Sequence, residues 1–73
     1  MQDLKGQLIE YIDYDNSGLT FVYARGMVID VQIGDHYPTV SVLANGRMYH
    51  HQIGTPACEL IQTSYGWQIY NRP

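Results

Sequence analysis

Apolar residues follow period two far better than period 3.6, most clearly from Met27 onward, the spacing that places one side of a β-strand against a core. Met27, Ile29, Val31 and Ile33 fall on one side of such a run, with Asp30 and Gln32 on the other. Gly34-Asp35-His36 then reads as a turn, and Pro38 marks the start or the edge of the next strand. Thr39–Ala44 and Arg47–Ile53 flank Asn45-Gly46. That dipeptide suits a two-residue type I′ hairpin turn, in which both central residues need positive φ. The turn fixes the register: Ala44 faces Arg47, Leu43 faces Met48, Val42 faces Tyr49, Ser41 faces His50 and Val40 faces His51. Val40, Val42, Tyr49 and Ile53 then share the core side. Leu43 and Met48 lie outward with Ser41 and His50, an apolar pair that a second subunit would cover.

The remaining elements are shorter. Gly54-Thr55-Pro56-Ala57-Cys58 suits a 3₁₀ turn, Glu59–Thr63 a brief strand, and Trp67–Tyr70 a last strand after the Tyr65-Gly66 turn. Gln7–Tyr14 and Leu19–Tyr23 are strand-like runs around Asp15-Asn16-Ser17-Gly18. Over Asp3–Tyr11 two readings stay open, because Leu4, Leu8, Ile9 and Ile12 also fit a short amphipathic helix. The whole of residues 1–73 is expected to form one nearly all-β domain.

A chain this short buries a small share of its surface and needs reinforcement. Cys58 is the only cysteine, so no internal disulfide supplies it, and no Cys/His spacing suits zinc. Self-association is the expected reinforcement, and no metal or cofactor is expected. The net charge is −3, with four basic residues scattered as Lys5, Arg25, Arg47 and Arg72. Nucleic-acid affinity draws on clustered Lys and Arg, so a single chain is a poor phosphate binder, whereas a ring repeating one arginine is not. No apolar run approaches a membrane span, and Met1–Gly6 lacks the features of a signal peptide. The expectation is a protein of the host-cell cytoplasm or of a particle assembled there, without a membrane partner.

The hairpin Thr39-Val40-Ser41-Val42-Leu43-Ala44-Asn45-Gly46-Arg47-Met48-Tyr49 is similar to the opening hairpin of Sm-like proteins, and Arg25-Gly26 resembles the Arg-Gly of their second motif. From Tyr23 to Ile61 the chain resembles a small SH3-like barrel: a strand after a glycine, a variable loop, a tight hairpin, a short turn and a closing strand. By overall pattern it also resembles short uncharacterised barrels of phages, marine cyanophages especially. There a Gly-Met-Val-Ile-Asp-Val strand, a proline-led strand and a Gly-Arg-x-x-His-His hairpin precede Glu-Leu-Ile. The resemblance implies an SH3-like or Sm-like barrel of five to six strands, with a short N-terminal helix or an extra hairpin, that assembles into a homo-oligomeric ring. Two departures limit it. Arg25-Gly26 precedes the hairpin instead of following it, and the Asp-x-x-Met-Asn element that contacts RNA bases is missing. The family's RNA site therefore does not carry over residue by residue.

Candidate chemistry is sparse. Asp13-Tyr14-Asp15-Asn16-Ser17-Gly18 matches the opening of an EF-hand loop, but the twelfth position is Ala24, so an acidic turn is the better reading. His50 and His51 are adjacent in a strand and point to opposite sides, so they do not chelate one ion. Cys58 has no base or oxyanion pocket specified near it, and no catalytic residue is assigned. Seven tyrosines and Trp67 suit core, interface or base stacking. Arg47, Tyr49, Tyr37, Arg25 and His50 are the candidate contacts to RNA or DNA, and Leu43 and Met48 the candidate subunit interface. The leading expectation is a non-enzymatic ring that engages nucleic acid. The alternatives are a phage virion decoration, neck or tail protein bound to another phage protein, and an inhibitor of a host protein.

Overall fold

The computed structural model describes residues 4–72. Within them lie six strands: β1 (Leu8–Tyr14), β2 (Thr20–Gln32), β3 (Thr39–Ala44), β4 (Arg47–Gln52), β5 (Cys58–Thr63) and β6 (Gly66–Asn71). They form one sheet in the order β4-β3-β2-β1-β6-β5, antiparallel throughout except for the parallel pair β1–β6. β4 and β5 stand at its two ends, and no ladder joins them among the described residues. The described residues are thus nearly all β, as the periodicity implies, with six strands in one sheet whose two ends are not joined. The described residues include no helix long and apolar enough to cross a membrane.

The β3–β4 hairpin follows the turn rule in full. Asn45 has φ 54° and Gly46 φ 75°, and all five expected pairs from Ala44–Arg47 to Val40–His51 are present. One partner of the assigned core side departs: Val40, Val42 and Ile53 are buried, whereas Tyr49 is 41% exposed, because β4 is an edge strand.

The helical alternative at the N-terminus is not adopted. Asp3 lies outside the described residues. Leu4 to Gly6 make a single tight turn, closed by Gln7 N–H donating to the Leu4 carbonyl at 3.0 Å. β1 is a strand because it has a backbone partner on each side, β2 and β6. Leu4 is fully buried and caps the core, whereas Leu8, on the helical face of the alternative reading, is 71% exposed.

The largest difference from the sequence expectation lies in β2. The two runs Leu19–Tyr23 and Met27–Ile33, apart from their end residues Leu19 and Ile33, belong to the single strand Thr20–Gln32, and it carries two irregularities. Against β1, Tyr11 pairs with Ala24 and Ile12 with Val22, leaving Tyr23 as the extra residue. Against β3, Val28 pairs with Val42 and Asp30 with Ser41, leaving Ile29 as the extra residue. A bulge moves every later side chain to the other face. Val28 is therefore the core residue, while Met27, Ile29 and Ile33 are exposed.

The core consists of Leu4, Ile9, Tyr11, Val28, Val40, Val42, Ala44, Ile53, Cys58 and Ile69, with Trp67, Leu60, Val31 and Ala24 packed against it. At Gly26 β2 passes tightly against β3: a Cβ there would lie 2.7 Å from both the Leu43 carbonyl oxygen and Val42 Cγ1. The glycine of Arg25-Gly26 is thus a packing requirement. The Gly54–Cys58 segment is a turn held by Gly54 N–H to the Cys58 carbonyl and by a Thr55–Cys58 bridge, not the 3₁₀ turn its length suggests.

Candidate nucleic-acid and subunit surfaces

The two sides of the sheet differ in kind. On the outer side the ladder places Leu8 beside Met27, Met27 beside Leu43 and Leu43 beside Met48. All four are exposed, by 71, 43, 42 and 45% in that order. They form an apolar row across β1, β2, β3 and β4. The expected Leu43/Met48 pair is its outer half. Next to it lies a polar row, in which Arg25 Nε donates to Glu10 Oε2 at 3.1 Å and Gln68 Nε2 donates to Glu10 Oε1 at 3.3 Å. His50 Nδ1 lies 2.7 Å from Ser41 Oγ on this same side.

The inner side opens beside the edge strand. Alternation along β4 puts Arg47, Tyr49 and His51 on that side. Tyr49 and His51 lie nearly parallel, at 8° with ring centroids 6.4 Å apart. Tyr11 packs edge-on against both, at 6.5 and 5.4 Å, and Tyr23, tipped in by its bulge, lies 6.1 Å from Tyr11. These rings wall a basin of about 290 Å³ whose remaining lining comes from Ala24, Ala44, Asn45 and Asn71.

Burial sets the protonation of the basin. It pushes the Tyr11 hydroxyl up to about 12, with Tyr23, Cys58 and Tyr49 adding to the effect. It lowers His51, and the neighbouring His50 lowers it further. A neutral imidazole and a protonated phenol share a 2.7 Å hydrogen bond between Tyr11 Oη and His51 Nε2. The direction follows the imidazole tautomer: the hydroxyl donates when the ring proton sits on Nδ1 and accepts when it sits on Nε2.

The basic residues are not equivalent. Lys5 pairs with Asp30 at 3.9 Å, Arg25 with Glu10 at 3.1 Å, and Arg72 with Glu59 while also donating to the Pro56 carbonyl. Arg47 has no acidic partner among the described residues. Of the five sequence candidates for nucleic-acid contact, Arg47 and Tyr49 come together. Arg25 and His50 belong to the outer side. Tyr37, beside Gly54, is at the opposite end of the β3–β4 hairpin from Asn45. Tyr11, Tyr23, His51, Asn45 and Asn71 complete the basin. Strand alternation gives His51 from Tyr49, but Tyr11 and Tyr23 reach it through a bulge and a long-range pairing that local spacing does not encode.

The other candidate constellations are structural. Asp15 Oδ1 accepts from the backbone N–H groups of Ser17 and Leu19 and from the Ser17 hydroxyl at 2.6–3.0 Å. These bonds, the hydroxyl's first, hold its carboxyl below the usual range. This is an acidic turn capped by its own side chain, and no group of three or more His, Cys, Asp or Glu gathers among the described residues. Cys58 is buried, and burial followed by the Glu59 charge pushes its thiol up, away from the thiolate that a nucleophile needs. Compared with protein families, with curated proteins and with solved structures, the chain matches none of them.

Proposed function

We propose that this chain is the protomer of a non-enzymatic, homo-oligomeric binding module of the small SH3-like or Sm-like kind. Copies would complete its open sheet, and the assembly would present Arg47 repeatedly to nucleic acid. The observation that carries this reading is the outer apolar row Leu8–Met27–Leu43–Met48, exposed on a sheet with two unpaired edges. Monomeric proteins cover such patches and blunt such edges, and an edge-to-edge contact between different ends of one sheet repeats until a ring closes. Arg47 is the residue the assembly would multiply, since the other three basic side chains already have acidic partners. A phosphate contact made once is weak, and the same contact made around a ring is not.

Native mass measured together with the absorbance ratio at 260 and 280 nm after gentle purification tests the reading. A multimer carrying nucleic acid supports it in full, and a bare multimer supports the assembly alone. A monomer at micromolar concentration removes it.

A second reading, a phage structural component that binds another protein through its tyrosine-rich surface, is favoured by one observation. Pairing leaves a small cationic surface on a chain of net charge −3. Its presence in purified particles at a symmetric copy number would select that reading.

A further inference from the structure

All the residues that line the basin beside β4 come from one chain. Its walls are aromatic, its base includes the small side chains of Ala24 and Ala44, and no carboxylate or cationic side chain lines it. Two carboxamides, Asn45 and Asn71, stand in the lining, and each offers both donors and an acceptor. His51 also lines it, with Nε2 in hydrogen-bond contact with the Tyr11 hydroxyl. Tyr49, on the end strand β4, presents a partly exposed ring. Arg47, two residues away on the same side of β4, faces Ala44 across the ladder, and its charge has no acidic partner among the described residues.

We propose that this basin binds a single unstacked nucleobase, with Tyr49 as the stacking surface, Asn45 and Asn71 meeting the base edge, and Arg47 holding the adjoining phosphate. The inference rests on the nucleic-acid reading above and names the chemical unit recognised. Aromatic walls also suit an alkylated ammonium ion. Two features select the base instead. Arg47 repels a cation and attracts a phosphate, and the amides find partners on a base edge that an alkylated ammonium does not offer. Stacking is tolerant of base identity, and carboxamides adapt to either donor or acceptor, so the site reads a base without demanding one sequence.

The test is a titration of the full chain with short oligo-dT, oligo-U and the free mononucleotides, followed by amide and methyl NMR. The expected shifts fall on Ala24, Ala44, Asn45 and Asn71, with both homopolymers. Weaker but matching shifts from a mononucleotide show that the base and its phosphate are the unit bound. Tyr49→Ala lowers affinity about tenfold or more, whereas Tyr49→Phe keeps it. Arg47→Gln weakens binding alike for DNA and RNA and reduces the salt slope by about one. A second groove is lined by Leu8, Glu10, Arg25 and Trp67 among others; shifts confined to it, or an affinity unchanged in Tyr49→Ala, overturn the inference while leaving nucleic-acid binding intact. If no single strand binds in any assembly state, the inference and the nucleic-acid reading fall together.

Discussion

Gly26 and His51 carry consequences that their residue types alone do not announce. A methyl group at Gly26 meets backbone and branched side-chain atoms of β3 at 2.7 Å, and neither is the free end of a flexible chain. Gly26→Ala is therefore expected to lower stability by roughly 1–3 kcal/mol, the range for overpacking a filled core, read as a shift in the denaturation midpoint. A change under a few tenths would mean that the strands part more easily than this packing allows. His51 is depressed below its ordinary 6.5 by burial, so the unfolded chain binds a proton that the folded chain resists. Stability attributable to His51 is then full above pH 6.5 and falls as pH drops from 6.5 toward the lower folded value. A thermal midpoint followed between about pH 5 and 8 should show that fall, and His51→Gln should remove it. Tyr11 acts at the other end of the scale. Its hydroxyl is pushed up to about 12 from 10, so its contribution persists to pH 10 and is lost between pH 10 and 12.

Among the elements, legibility followed how locally each is determined. The β3–β4 hairpin was readable to the residue, because Asn45-Gly46 sets its own turn and the turn sets the register. Gly46→Val should test that logic: a β-branched side chain at φ 75° is strained, and a loss of about 1–2 kcal/mol is expected by chemical denaturation. β2 was not readable in the same way. Its bulges at Tyr23 and Ile29 exist because β1 and β3 impose their own registers on it, and period-two counting across a bulge assigns the wrong face. The same device hid half of the basin. Arg47 and Tyr49 were accessible from the hairpin, but Tyr23 turns inward at an extra residue, and Tyr11 arrives from a strand 40 residues before His51. For β1, spacing fitted helix and strand equally. The decision came from two neighbouring strands that offer backbone partners, information that a ten-residue window does not contain.

For the molecule as a whole, composition was informative about need and silent about means. A short chain without a disulfide has to gain stability from elsewhere, and the structure exposes the surfaces through which that would come: an apolar row across four strands, and sheet ends at β4 and β5. Within one chain the sheet stays open, and no ladder joins β4 to β5 among the described residues. If copies associate through the apolar row and the sheet ends, native mass spectrometry at micromolar concentration should find a closed multiple of 8.4 kDa for the wild-type chain and a folded 8.4 kDa monomer for Met48→Asp. A wild-type chain that runs as a folded 8.4 kDa monomer contradicts that association.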